Sequence, residues 1–331
     1  MKPSRGWGIK GGQAMAGSKE KEMRIVYAET LKSLAEVDPN IVVVEADLMR
    51  STGTLLFKEA FPERAFNVGV AEANMVGIAA GLSAAGKIPF AASFSCFASR
   101  RAYDQFFISA NYARLNVKLV GSDPGITAQY NGGTHMCFED IGLMRNIPHI
   151  TIFEPSDAIS LARLLRQSAY RRGCTYMRLY RRAVPPIYGE AEQFELGHGK
   201  VLREGGDITL IALGALLVPE ALRAAELLQK DGISARVVDM HTVKPIDAEL
   251  VLECAKKTGA LVTCENHQVR NGLGSAVAEV LCENLPTLLR RVGVNDEFGE
   301  VGPLEYLQQR YGLTAANIRL QAEELLRRRD A

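Results

Sequence analysis

Residues 64–86 read RAFNVGVAEANMVGIAAGLSAAG, and the fold turns on how this stretch is read. It opens as an extended apolar run with Phe66, Val68 and Val70, then changes period. From Ala71 onward Met75, Ile78, Ala79 and Leu82 return every three to four residues, the spacing of a helix. Small residues crowd that helix, among them Ala73, Gly77, Ala80, Gly81 and Ala84. Two interior glycines cost roughly 1 kcal/mol each against alanine, so the helix is expected to press against another element. Its first turn carries one ionisable side chain, Glu72, in otherwise small and apolar company. The helix dipole favours a carboxylate there, and burial would raise its pKa. Taken alone, Glu72 is more often an ordinary first-turn glutamate than a functional one.

Outward from this stretch, strands and helices alternate. On the amino-terminal side, residues 20–36 have helical spacing, and IVVVEADL at 41–48 is a strand run ending in an acid. A continuous apolar run is what a parallel strand buried on both faces looks like. On the carboxyl side, strands are expected at 88–94, 117–121, 149–153 and 175–180, with helices at 98–113, 139–145 and 157–170. A second series follows, with strands at 208–213, 235–239, 260–264 and 288–293 and helices at 218–230, 247–258 and 274–284. The fold class is therefore α/β, in two domains, each a mainly parallel sheet flanked by helices. The expected division is a flexible arm at 1–20 carrying Trp7, a first domain at 21–187, a linker at 188–205 and a second domain at 206–331.

Composition narrows the function. A formal net charge of +1 gives no bulk attraction to nucleic acid or to an anionic membrane. No apolar run reaches the ~18 residues of a membrane span, and the glycine-rich amino terminus lacks the apolar core of a secretory signal. The six cysteines form no C-x-x-C pair and have no histidine at zinc-ligand spacing, which fits buried thiols of a cytoplasmic protein. Neither G-x-G-x-x-G after a first strand nor G-K-[ST] occurs, so dinucleotide and P-loop readings find no support.

Ligands of such sheets bind at the carboxyl ends of strands. Three loops there carry polar groups. Asp47 and Ser51 follow the first strand, although Asp47 reads equally as a helix cap. Phe94 and Phe97 follow the next strand and offer a platform for a flat ring, or else are core. The long polar loop from Gly121 to His135 has glycines that admit a ligand to the backbone, and loops of that length are usually functional.

Together these features resemble the transketolase family of thiamine-diphosphate enzymes. The resemblance rests on VVEADLMRST at 43–52, the stretch at 64–86, Phe94-x-x-Phe97 with the following YDQ, NGGTH at 131–135, EDIGLMRNIP at 139–148 and ENHQVRNGLGSAVAEVL at 265–281. It covers nearly the whole chain after residue 20 and corresponds to the carboxyl-terminal half of a transketolase: a pyrimidine-binding domain and a C-terminal domain. The G-D-G motif that holds the magnesium in the pyrophosphate-binding half is missing. The resemblance thus implies one subunit of a split transketolase, needing a separate amino-terminal-section partner, in a heterotetramer with two of each chain. It implies thiamine diphosphate as cofactor, with Mg2+ or another divalent cation held mainly by the partner.

By this resemblance Glu72 matches the glutamate that hydrogen-bonds the pyrimidine ring nitrogen, and the cofactor carries the carbanion chemistry. Phe94 and Phe97 match the aromatic bed of the pyrimidine, and Asp47 an aspartate near the thiazolium. Arg100 stands where many family members have tyrosine. Arg24, Ser51 and Arg181 match positions that bind the sugar phosphate, a role suited to guanidinium groups. His135 matches a histidine that contacts the oxygens of the ketose donor. Two positions depart from the family pattern: Asn131 replaces an aspartate, and Ser122 replaces a phosphate-binding histidine. The implied reaction is transfer of a two-carbon ketol unit from a ketose phosphate to an aldose phosphate, as in pentose phosphate metabolism. Related alternatives are the beta subunit of a 2-oxo-acid dehydrogenase decarboxylase and a deoxyxylulose-phosphate-synthase-like enzyme. From another class comes a catalytically silent partner or scaffold. In the second domain, Asn271 to Ser275 is expected to be a turn into a helix rather than an anion site, and His241 and His267 structural.

Overall fold

The computed structural model describes residues 21–331. The expected arm at 1–20, with Trp7, lies outside the described residues. Twelve strands form two sheets among these residues. The first domain supplies β1 (Ile41–Glu45), β2 (Ala65–Asn67), β3 (Ile88–Phe94), β4 (Lys118–Ser122), β5 (Thr151–Phe153) and β6 (Thr175–Leu179). The rest of the chain supplies β7 (Lys200–Arg203), β8 (Ile208–Ala212), β9 (Ala235–Asp239), β10 (Thr242–Lys244), β11 (Ala260–Gln268) and β12 (Leu288–Val294). Sheet order is β10-β5-β6-β4-β3-β1-β2 in the first sheet and β12-β11-β8-β9-β7 in the second. Pairing is parallel throughout except at two edges, where β10 and β7 run antiparallel.

Both edge strands correct the sequence reading. Residues 200–203, placed in the linker, form β7, whose half-buried side chains lack the apolar run that marks a buried strand. The segment after β9 leaves the second sheet and adds β10 to the first, so the two domains share a sheet edge. Strand β1 ends at Glu45, not Leu48, because the chain turns left-handed at Asp47 (φ 62°). The helix expected at 98–113 is broken into Ser95–Arg100, Tyr103–Gln105 and a π-helical turn at Phe106–Tyr112.

The helix Glu72–Ala84 forms as expected and buries Met75, Val76, Ala79 and Ala80 against the first sheet. Its glycines do something else. Gly77 and Gly81 are exposed, and a Cβ on either would meet nothing within 4 Å. The expectation of close approach at the glycines therefore fails among the described residues: the alanine side of the helix is pressed, and the glycine side is open to them. Val70, just ahead of the helix, is also exposed.

Candidate active site

Four neighbouring strands of the first sheet, β6, β4, β3 and β1, end on the same side. The register sets Phe94, Ser122 and Leu179 side by side. One residue past Ser122 is Asp123, and two past Leu179 is Arg181. Strand pairing alone thus brings an aromatic ring, a carboxylate and a guanidinium into one row, the position where ligands bind in parallel sheets.

Glu72 lies at the centre. It is 3% exposed, yet its contacts are slack. Ser93 Oγ donates to Oε1 at 3.4 Å, and Arg101 Nη1 reaches both carboxylate oxygens at 3.4 Å. Arg101 was not singled out by sequence, being one of two consecutive arginines. Its Cζ stacks 3.9 Å from the Phe97 ring centroid, which joins Glu72 to the aromatic cluster. Phe94 and Phe97 meet edge to face at 6.2 Å, and the His135 ring lies 5.9 Å from Phe94 and 5.1 Å from Phe97. The structure so gathers Glu72, Phe94, Phe97 and His135.

Arg100 turns elsewhere. Its Nε donates to the carbonyl of Cys96 and its Nη2 to the carbonyl of Thr134, with Glu139 at 3.4 Å. It therefore steadies the chain just before His135, while Arg101 faces the rings. Thr134 Oγ1 lies 2.9 Å from His135 Nδ1. Asn131 is exposed at the end of the 3-10 segment Gly125–Asn131 and joins neither cluster.

A second, basic group lies beside the rings. The Arg181 guanidinium is 5.6 Å from the Phe94 centroid and pairs with Asp123 Oδ2 at 2.6 Å. Arg24 is brought next to Arg181 by backbone, since Arg24 N–H donates to the Arg181 carbonyl at 3.1 Å. Arg24 Nε pairs with Glu22 at 2.7 Å, and Nη1 reaches the carbonyl of Arg50, the neighbour of Ser51 on the helix Met49–Thr52. Arg24, Ser51 and Arg181 thus belong to one basic corner. Burial pushes Asp123 up to about 6, against the pull of Arg181, Arg182 and Arg24. Ser122 Oγ is buried and has no hydrogen-bond partner among the described residues. Asp47 is exposed, its carboxylate accepting from Asn67 Nδ2 at 3.0 Å.

Beneath the loop that carries Asp47 and Ser51, Glu45 Oε1 accepts from Thr52 and Thr54 hydroxyls at 2.6 and 2.7 Å. Burial raises this acid to about 8. Sequence offered no signal for it beyond an acid ending a strand. In the second domain the backbone N–H groups of Leu273 and Gly274 donate to Glu265 at 2.7 and 2.8 Å. The helix entry after Gly272 already holds a carboxylate of this chain, in accord with the turn reading. His241 and His267 are fully buried, and burial lowers both to about 4. Five cysteines are buried; Cys282 is exposed. No helix among the described residues is long and apolar enough to cross a membrane.

Residues 19–186 match the family model of the transketolase pyrimidine binding domain, and residues 197–318 that of the transketolase C-terminal domain. The chain is 52% identical to a 6-deoxy-6-sulfo-D-fructose transketolase subunit of Clostridium sp., over 94% of this chain and 96% of that protein. It is 46% identical to a putative transketolase C-terminal section of Methanocaldococcus jannaschii, over 90% and 94% of the two chains. A 1-deoxy-D-xylulose-5-phosphate synthase of Heliobacterium modesticaldum is 38% identical over 91% of this chain, which spans 46% of that longer protein. A solved split-gene transketolase, described as an inactive β4 tetramer, superposes with a TM-score of 0.85 at 45% identity, covering 92% of this chain and 98% of its own.

Proposed function

The chain belongs to the transketolase family, as the carboxyl-terminal section of a split enzyme, and from that premise we propose its reaction. With a separate pyrophosphate-binding subunit, it transfers a two-carbon ketol unit from a ketose phosphate to an aldose phosphate in the cytoplasm. The observation that carries this reading is Glu72, a buried carboxylate linked through Arg101 to the Phe97 ring, whose partners among the described residues stand off at 3.4 Å. A carboxylate held that loosely has capacity for one more polar partner.

These residues fit the aminopyrimidine half of thiamine diphosphate. When bound, the cofactor supplies the thiazolium that stabilises a carbanion. Glu72 would hold a proton at the pyrimidine ring nitrogen, and its burial from water would make that hydrogen bond strong. Phe94 and Phe97 would line the ring, with Arg101 sliding off Phe97, and Asp47 and Arg100 would border the cofactor. His135 would contact the donor's oxygens at the reacting end. Arg24, Ser51 and Arg181 would hold its anionic tail through charge-assisted bonds, with Ser122 and Asn131 bordering the sugar. Mg2+ would be held by the partner subunit with the pyrophosphate.

Phosphate and sulfonate both meet the description of that tail, and the Clostridium relative is named for a sulfonated fructose. Assembly would be a heterotetramer with two of each chain, a two-fold arrangement in keeping with common oligomer symmetry. The test is ketol transfer from xylulose 5-phosphate to ribose 5-phosphate with thiamine diphosphate and Mg2+. Activity is expected only when this chain is mixed with its amino-terminal-section partner. Full activity from this chain alone, or from the mixture carrying Glu72→Ala, would overturn the proposal.

A further inference from the structure

We propose that Asp123 makes the basic corner selective for a monoanionic sulfonate tail over a dianionic phosphate tail. The inference rests on the assignment of Arg24, Ser51 and Arg181 to the donor's tail. Sulfonate and phosphate esters each present three terminal oxygens on a tetrahedral centre, so the fork of a guanidinium meets both alike. Charge is what separates them. A sulfonate carries one negative charge, whereas a phosphate monoester carries about −1.5 to −2 at pH 7.

The corner is built with carboxylates already on its arginines. Asp123 Oδ2 lies 2.6 Å from Arg181 Nε, and Glu22 Oε2 lies 2.7 Å from Arg24 Nε. Each guanidinium is thus partly neutralised at its Nε, which leaves the Nη groups of Arg181 and Nη2 of Arg24 to face a ligand. The two carboxylates differ in weight. The Glu22 side chain is 44% exposed, so water and salt screen it. Asp123 is 2% exposed, and a buried charge is screened far less. A second negative charge on a ligand held by Arg181 is therefore repelled by Asp123 across one guanidinium.

Asp123 is also fixed. It stands in the left-handed region at φ 51°, and its N–H donates to the Leu179 carbonyl at 3.0 Å. Asp and Asn are the residues that tolerate this backbone best after glycine. Asp123→Asn consequently removes the charge while keeping the backbone shape, which makes it a clean probe. If Asp123 did no more than orient Arg181, its loss would weaken both tails equally. Selectivity is the quantity that separates the two roles.

The experiment is calorimetric titration of the reconstituted two-subunit complex with two reduced donors, 6-deoxy-6-sulfohexitol and hexitol 6-phosphate. Both lack the reacting carbonyl, so they report binding without turnover. The unaltered complex is expected to bind the sulfonate about tenfold more tightly. Asp123→Asn is expected to move the ratio toward phosphate by about tenfold or more, equal to about 1.4 kcal/mol. Glu22→Gln should move it the same way by a smaller factor. An equal loss for both hexitols in Asp123→Asn overturns the inference and leaves the tail site standing. Preference for phosphate in the unaltered complex overturns it without need of any variant. Failure of both hexitols to bind overturns the tail assignment, and this inference with it.

Discussion

Two arginine–carboxylate groups in this molecule use the same chemistry and end in opposite conditions. Arg178, on β6, is fully buried. Its Nε donates to Asp140 at 2.8 Å, its Nη1 to Glu154, and its Nη2 to the Asn266 carbonyl of the second domain at 2.8 Å. Tyr176 adds a bond to Asp140 at 2.7 Å. Arg101, half exposed, reaches Glu72 only at 3.4 Å and spends its other face on Phe97. The first group is held by short bonds that tie the domains together, although Asp140 Oδ1 has no hydrogen-bond partner among the described residues. In the second, the chain leaves a buried acid under-bonded. A desolvated charge is costly unless its hydrogen bonds are complete. Short bonds to a fully buried arginine therefore mark structure, and the slack contacts at Glu72 mark a place for an outside partner.

The comparison can be broken from either side. Arg178→Ala leaves Asp140 and Glu154 buried without their cation, and removing one partner of such a group costs about 3–5 kcal/mol. The urea midpoint of the isolated chain should fall accordingly. Glu72→Gln should do the reverse. Ketol transfer by the mixed complex is expected to drop about 10²-fold or more, the lower range for loss of a general acid–base group, with the urea midpoint unchanged. Equal effects of both variants on stability would erase the distinction drawn here.

Proton linkage sharpens it further. Burial raises Glu45 to about 8, and Asp239 and Glu265 to about 7. Each binds its proton more tightly folded than unfolded, so each withdraws stability as pH rises through its folded value. His241 and His267, lowered to about 4, act in the opposite sense, withdrawing stability as pH falls below about 6.5. Above that value Lys118, which burial lowers to about 7, acts against the acids by returning stability as pH rises past 7, so the melting temperature should decline from pH 6.5 to pH 7 and then level off. Glu45→Gln should flatten that decline, as read by calorimetry. A melting temperature that rises over the same interval would show that these acids are ionised in the native protein without penalty.

What the sequence disclosed follows from periodicity. Apolar runs marked the central strands, and helical spacing after Ala71 placed Glu72 on a first turn. Strand-end position then put Phe94, Ser51 and Arg181 on the right side of the sheet. Edge strand β7 escaped because its side chains are only half buried, and β10 because three residues, one of them charged, make no apolar run. Arg101 and Asp123 escaped for a different reason: their importance lies in what they touch. Nothing local distinguishes Arg101 from Arg100, yet one faces Phe97 and the other Thr134. Asp123 becomes legible only once β4 and β6 are paired and Arg181 stands beside it.

The smallest effect probes a third place where the chain leaves contacts unmade. Gly77 sits in the interior of an exposed helical face, and a methyl there would touch nothing within 4 Å. On backbone entropy alone, Gly77→Ala should stabilise the dilute chain by about 0.5–1 kcal/mol. The rule drawn from Glu72 makes a second demand. If this face is open because another subunit lies close against it, the added methyl should weaken self-association while the dilute chain grows more stable. Sedimentation of the variant beside the unaltered chain reads the two effects apart. Gain in stability with association unchanged would mean that the glycines keep the helix slender for no partner on that side.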